Sequence, residues 1–178
     1  MRIFVGVKIP EDIRNSLDDE ADKVLRLTET YNKSLNENYH LTIKFIGEMK
    51  ISEIVALDQI LAKRLKDIKA FDVYLKDIGY FEKNNEYTLW IGVQKGSDYL
   101  DKIHHIVDFE SHELFGIERN KYEPHVTLAR KVHLDNVQNL KMSKTKSYKL
   151  KVEEITIYYS HRVNDLLTYT PLSKIKLK

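Results

Sequence analysis

Two short motifs combine the residue types that acid–base chemistry needs. His40 is followed two positions later by Thr42, and His125 by Thr127, each inside a run of alternating apolar residues. Residues i and i+2 of a β-strand point to the same face, so each imidazole shares a face with a hydroxyl. An imidazole accepts or donates a proton near neutral pH, and a threonine hydroxyl can hydrogen-bond to an anion. The pair therefore favours metal-free hydrolysis of a phosphodiester, although spacing alone leaves open which histidine is the acid.

The two motifs occupy equivalent places in a diffuse internal repeat. His40 comes 34 residues after Gly6, and His125 comes 33 residues after Gly92, with a helical pattern between the glycine and the histidine in each case. The repeat covers about residues 2–67 and 87–140. It predicts a single domain made of two similar lobes related by a pseudo-twofold axis, with a cleft where the two motifs face each other.

Hydrophobic periodicity predicts the elements that must position the motifs. We expect Ser52 to cap the second helix. Strands are expected at Arg2–Lys8, Tyr39–Phe45, Phe71–Tyr80, Tyr87–Val93, His125–Lys131, Tyr148–Tyr159 and Leu167–Lys176, and helices at 11–28, 52–65, Asp98–Phe115 and Leu134–Leu140.

Composition excludes several classes of protein. The chain has 178 residues, 42% of them hydrophobic and 31% charged, so wholesale disorder is not expected. It has no cysteine, which rules out disulfides, a thiol nucleophile and a cysteine-ligated zinc. No apolar stretch approaches the roughly 18 residues of a membrane span, and the N-terminus lacks a signal-peptide pattern. We therefore expect a cytoplasmic protein that does not bind membranes.

Two further clusters allow more than one interpretation. The run of Lys141, Lys144, Lys146, Lys149 and Lys151 could contact nucleic-acid phosphates, but it is more typical of a solvated edge that discourages sheet-to-sheet association. Asp101, His105, Asp108 and His112 fall on one face of the third helix and could bind a metal; a solvated face with Asp–His pairs is favoured. His104, His133 and His161 are interpreted as surface residues.

The motif segments Glu37–Gly47 and Pro124–Arg130 resemble the paired His-x-Thr motifs of the 2H phosphoesterase superfamily. Within it, they are most similar to the bacterial and archaeal RNA 2′,3′-cyclic phosphodiesterases, also called 2′-5′ RNA ligase-like proteins. Met1–Val7, Trp90–Val93 and Tyr169–Leu172 also fit, whereas the lead-in Lys121–Glu123 departs from the Arg-Phe-containing form that is more common in relatives. The resemblance implies a bilobal α+β fold with two antiparallel β-sheets, helices outside and the active-site cleft between the lobes.

The resemblance also implies residue roles and partners. His40 would protonate the departing 3′ oxygen and His125 would activate water, leaving a 2′-phosphate. Thr42, Thr127 and Arg130 would bind the phosphate, and Phe45 would stack on the terminal base. The expected substrates are RNA ends or small cyclic nucleotides. The protein is expected to act as a monomer, without a cofactor, a metal or an obligate protein partner. A 2′-5′ phosphodiester hydrolase or RNA ligase, and a non-catalytic RNA-end-binding module, are the alternatives.

Strict strand alternation conflicts with two of these roles. Phe45 and Arg130 each lie five residues after their histidine, so an undisturbed strand would point both side chains toward the core. Burying an unpaired guanidinium is costly. We therefore predict that each strand ends or bulges between the third and fifth residue after its histidine.

Overall fold

The computed structural model describes residues 1–133 and 145–178, which form three α-helices and nine β-strands. The strands are β1 (Arg2–Lys8), β2 (Thr30–Lys33), β3 (His40–Glu48), β4 (Phe71–Lys83), β5 (Glu86–Lys95), β6 (His125–His133), β7 (Tyr148–Val152), β8 (Glu154–Val163) and β9 (Leu166–Lys176). The helices are α1 (Glu11–Leu25), α2 (Ile51–Leu65) and α3 (Ser97–Phe115). The expected antiparallel α+β fold is confirmed.

The strands form one continuous sheet rather than two separate ones. Its order is β7-β4-β5-β6-β3-β1-β8-β9, with β2 paired to β6. The two motif strands, β3 and β6, are neighbours at its centre and meet through the residue pair Leu41 and Val126. The expected pair of sheets is thus joined at the point where the two motifs lie side by side.

The strand registers differ between the two halves. His40 pairs with Lys8 of β1, whereas His125 pairs with Gly92 of β5. By register, the counterpart of Gly92 is therefore Lys8 rather than Gly6. The division into two similar lobes stays a prediction. Gly6 and Gly92, from which the repeat was counted, do not occupy equivalent register positions in the sheet.

Each helix buries an apolar stripe against the sheet. The buried side chains recur at helical spacing, as amphipathic helices require; they include Leu17, Ala21 and Val24 in α1, Leu57, Leu61 and Leu65 in α2, and Leu100, Ile103 and Val107 in α3. Within the described ranges, no helix has the length and apolar character needed to cross a membrane.

The prediction for the start of α2 was wrong. Ser52 lies inside the helix, and the capping position belongs to Lys50. The carboxylate of Glu53 accepts a hydrogen bond from the Lys50 backbone N–H at 2.7 Å, which satisfies a donor left free at the helix start.

Two further elements differ from the expectations, and a third cannot be compared. The short strand β2 was not predicted, because three of its four residues are exposed and show no alternation. The expected strand over 148–159 is two strands, β7 and β8, separated at Glu153. The predicted helix Leu134–Leu140 lies outside the described residues.

The described lysines of the basic run lie at or beside one edge of the sheet. Lys149 and Lys151 are exposed on the terminal strand β7, where they form ion pairs with Asp72 and Glu153 at 2.9 and 2.5 Å. This placement favours the edge-protecting interpretation. Lys141 and Lys144 lie outside the described residues.

Candidate active site

The central strands place each histidine beside the threonine of the other motif. Because β3 and β6 are antiparallel and Leu41 pairs with Val126, His40 lies opposite Thr127 and Thr42 lies opposite His125. Leu41 and Val126 are fully buried on the other face. The alternation read from the sequence thus brings both motifs to one surface of the sheet.

His40 is held by two hydrogen bonds and by aromatic rings. Its Nδ1 lies 2.6 Å from the carbonyl oxygen of Asn38, and its Nε2 lies 2.9 Å from the Thr42 hydroxyl. A carbonyl only accepts, so Nδ1 carries the hydrogen and the Nε2 of the neutral ring accepts from Thr42. The ring lies 4.7 Å from Phe4 and 4.9 Å from Tyr169, centroid to centroid.

This environment makes His40 a weak base. Burial is the main cause, and the positive charge of Arg130 and the nearby ring of His125 act in the same direction, lowering the His40 pKa from 6.5 to about 4. The carbonyl of Asn38 partly opposes the change. In the empty cleft His40 is therefore neutral at pH 7.

His125 has the same kind of support but a different neighbourhood. Its Nδ1 lies 2.6 Å from the carbonyl oxygen of Glu123, so its Nε2 is also left for chemistry. Phe81 contacts the ring edge-on at 5.1 Å, and Trp90 lies at 6.0 Å. Burial is the main cause that lowers the His125 pKa, and Arg130 acts in the same direction, whereas the hydrogen bond to the Glu123 carbonyl and the charge of the Glu123 carboxylate oppose the change.

Both motif strands bulge where the sequence predicts. The register of β1 with β3 passes from Gly6–Thr42 to Val5–Lys44, which leaves Ile43 as the extra residue. The register of β5 with β6 passes from Trp90–Thr127 to Leu89–Ala129, which leaves Leu128 as the extra residue. Each bulge lies at the third residue after the histidine, and the prediction is confirmed.

The bulges turn Phe45 and Arg130 away from the core. Arg130 is exposed and lines a cavity of about 290 Å³ together with His40 and Thr127. Phe45 is 43% exposed and lines a second cavity, of about 470 Å³, with Thr42 and His125. All six residues predicted for the site therefore line one of two cavities that flank the histidine pair.

A buried ion pair lies behind the first bulge. The ammonium of Lys44, which is 2% exposed, lies 2.7 Å from Asp108 Oδ1 and 2.9 Å from the Glu118 carbonyl. The other oxygen of Asp108 accepts from Arg119 Nε at 2.7 Å. The interpretation of Asp108 as part of a solvated helix face was therefore wrong. It is buried because the bulge turns Lys44 inward and the lysine needs a counter-charge.

His104 was also misplaced by the sequence interpretation, which put it on the surface. It is buried, its Nδ1 lies 2.8 Å from the carbonyl oxygen of bulge residue Ile43, and its ring stacks on Tyr122 at 4.3 Å. The Tyr122 hydroxyl in turn donates to the carbonyl of Thr42 at 3.1 Å. His104 and Tyr122 thus hold the backbone of the first motif from the side of α3.

Sequence reasoning also missed the wall that Trp90 builds beside His125. A Cβ atom at Gly79 would lie 2.3 Å from the Trp90 ring, and one at Gly92 would lie 2.9 Å from it. These glycines leave room for the indole, which also contacts Phe81 at 5.2 Å. The signal available in the sequence was a strand tryptophan with one glycine two residues later, Gly92, and another in the partner strand, Gly79.

The geometry agrees with comparisons to known proteins. A family model described as the 2′-5′ RNA ligase superfamily matches residues 14–164. An RNA 2′,3′-cyclic phosphodiesterase of Methanocaldococcus jannaschii is 31% identical over 79% of this chain and 78% of its own length. One of Thermotoga maritima is 29% identical over 73% of this chain and 70% of its own.

Solved structures share the whole fold. The crystal structure of E. coli LigT complexed with 3′-AMP superimposes with a TM-score of 0.84 at 23% identity, covering 99% of this chain and 97% of that one. The family model matches most of the chain, and this match assigns the family. This chain belongs to the 2′-5′ RNA ligase superfamily.

Proposed function

We propose that this protein hydrolyses RNA 2′,3′-cyclic phosphate ends to 2′-phosphate ends, using the two histidines as acid and base without a metal. The observation that carries the proposal is the crossed arrangement of the motifs, with each imidazole opposite the threonine of the other motif and each Nδ1 bound to a carbonyl. The names of the M. jannaschii and T. maritima relatives support the substrate.

In the proposed reaction, His125 Nε2 takes a proton from a water molecule whose oxygen attacks the phosphorus. The bond between phosphorus and O3′ breaks on the opposite side, and His40 gives its proton to O3′. The product is a 2′-phosphate with a free 3′ hydroxyl. The pair then returns to its starting state when His125 loses a proton to solvent and His40 gains one.

The other predicted residues would act on charge and position. Thr42 and Thr127 would donate hydrogen bonds to the non-bridging phosphate oxygens, and the guanidinium of Arg130 would bind the phosphate and the adjacent ribose oxygen. Phe45 would stack on the terminal base.

The pKa values of His40 and His125 bear on which ring can act as the acid. In the empty cleft His125 is the stronger base, whereas the proposed acid is His40. A phosphodiester anion held by Thr42 and Thr127 lies beside both rings and raises the pKa of each, because an adjacent negative charge favours the protonated form. Bound substrate therefore offsets the effect that burial has on His40, which must carry the proton that it donates.

The proposal is tested by incubating the protein with an RNA oligomer that ends in a 2′,3′-cyclic phosphate, in excess EDTA. Wild type should open the ring, while His40→Ala and His125→Ala should each be slower by about 10²–10⁴-fold. His105→Ala, which removes an exposed imidazole on α3, is the matched control and should retain full activity. Activity that needs added metal, or that survives both substitutions, would contradict the proposal.

The same experiment separates the alternatives. Tight binding of the cyclic end without turnover would favour an RNA-end-binding module. Turnover of 2′-5′ linked RNA alone would favour the hydrolase or ligase of such linkages, in which a ribose hydroxyl takes the place of water. A monomeric state and a cytoplasmic location stay predictions; gel filtration tests the first.

A further inference from the structure

The two ends of the cleft differ in chemistry. One end, called here the aromatic end, consists of Phe45, Phe81 and Tyr122 around the cavity next to His125 and Thr42. Phe45 and Phe81 are 43% and 37% exposed, which is high for phenylalanine side chains on a folded surface. Among the charged groups there, Lys44 is neutralised by Asp108, Lys121 is accompanied by Glu123, and the guanidinium of Arg2 lies 4.8 Å from the centre of the Phe45 ring. This end therefore offers flat stacking surfaces to a planar group.

The other end, called here the arginine end, consists of Arg130 and Arg162 in the cavity next to His40 and Thr127. Among the described residues, neither guanidinium forms an ion pair with a carboxylate. Arg162 lies at the tip of the β8–β9 hairpin, where its Nη1 donates to the backbone carbonyl of Asp165 at 2.5 Å. Within the described part of the chain, no other acceptor engages either guanidinium, which leaves their remaining donors for a ligand.

The other charges of this cavity do not cancel the two arginines. Lys33 is already paired with Asp18 and Asp22 at 3.0 and 2.6 Å. The carboxylate of Asp165 is the acidic group of the rim. Because Arg130 would bind the cyclic phosphate in the function proposed above, Arg162 is the guanidinium that this end offers to a second anion.

The covalent structure of a ribonucleotide matches this asymmetry. In a ribose whose 2′,3′ edge holds the cyclic phosphate, the base is attached next to C2′, and the carbon that carries the 5′ oxygen is attached next to C3′. When that edge faces the histidines, the base and the 5′ phosphate must therefore leave in opposite directions.

We propose that the cleft binds a terminal ribonucleotide in one direction, with its base at the aromatic end and its 5′ phosphate at the arginine end against Arg162, so that an oligonucleotide end is preferred to a mononucleotide. The inference rests on the function proposed above.

The test compares adenosine 2′,3′-cyclic phosphate with a dinucleotide that ends in the same group and carries one internal phosphate. For wild type, kcat/KM should be higher for the dinucleotide by about tenfold or more, because its internal phosphate gains a hydrogen-bonded charge pair with Arg162. In Arg162→Gln this preference should collapse toward one. The slope of log kcat/KM for the dinucleotide against log salt concentration should also become shallower by about 1.

Two further variants control for folding and for general charge. Arg162→Lys keeps the charge but not the planar fork, so it should retain part of the preference. Lys66→Gln, at the end of α2 away from the cleft, should retain all of it. Equal opening of both substrates by wild type, or an unchanged preference in Arg162→Gln, overturns this inference alone. Failure to open either substrate overturns the proposed function as well.

Discussion

The two catalytic candidates differ in basicity although their motifs are alike. Both rings bind a backbone carbonyl through Nδ1, and both lose basicity through burial and through Arg130. Burial is the first cause of the lowered pKa of both rings, and the neighbours add to the difference: the Glu123 carboxylate raises the pKa of His125, whereas the second imidazole lowers that of His40. In the proposed mechanism, the active form of the pair holds one proton.

This predicts the pH dependence of the reaction. As pH rises, the free enzyme loses its single proton chiefly from His125, whose pKa lies below 6.5, so kcat/KM should peak below that pH and decline above it. The profile of kcat should lie at higher pH, because bound phosphodiester holds the proton. Trp90, the only tryptophan, lies 6.0 Å from His125, and its fluorescence provides a direct titration of that ring. A kcat/KM that still rises above pH 7 would contradict this account.

At the scale of elements, the first bulge depends on contacts from α3 and from the loop that leads into β6. Tyr122→Phe removes only the hydroxyl that donates to the Thr42 carbonyl and keeps the ring stacked on His104. We expect kcat to fall about two- to tenfold, the worth of one hydrogen bond, with KM little changed, because Thr42 and His40 lose alignment.

Tyr99→Phe is the matched control for that variant, since Tyr99 is 53% exposed on α3, the helix that carries His104, and should tolerate the loss of its hydroxyl. A structural effect alone would lower the midpoint of urea unfolding and leave kcat of the folded protein unchanged. That result would show that the Tyr122 hydroxyl does not position Thr42 and His40 for the reaction.

The ion pair behind the bulge should matter for stability. Asp108→Asn leaves the buried ammonium of Lys44 without a counter-charge, so we expect the free energy of unfolding to fall by about 3–5 kcal/mol. Glu113→Gln, an exposed change on the same helix, should have little effect.

The same pair predicts an acid dependence. The folded-state pKa of Asp108 is lowered from 3.8 to about 2, so the carboxylate stabilises the fold above pH 3.8, and this contribution is lost as pH falls through that window. Urea unfolding at several pH values should show the difference between wild type and Asp108→Asn shrinking below pH 3.8. A constant difference down to pH 2 would contradict the assignment.

For the whole molecule, the sequence predicted what depends on local periodicity. Alternation identified β3 and β6. Both bulges followed from the conflict between that alternation and the cleft roles that the family resemblance implies for Phe45 and Arg130. What escaped prediction depends on contacts distant in sequence: the burial of Asp108 follows from the inward turn of Lys44, and the role of His104 follows from a carbonyl freed by the bulge at Ile43. No pattern within a single helix contains that information.

The joining of two expected sheets into one has the same origin. A single residue pair, Leu41 with Val126, sets the register of the two motifs, and it links segments 85 positions apart in the chain. Motif spacing could indicate that the histidines meet, but only this register places each of them opposite the threonine of the other motif.

The central claim is that this cleft directs water to phosphorus and breaks the bond to O3′. The most direct measurement is ³¹P NMR of the product formed from adenosine 2′,3′-cyclic phosphate in ¹⁸O-enriched water with excess EDTA. We expect the 2′-phosphate alone, with one ¹⁸O on phosphorus, and we expect His40→Ala and His125→Ala to form it about 10²–10⁴-fold more slowly than wild type. A 3′-phosphate product, or turnover by either variant at the wild-type rate, would contradict it.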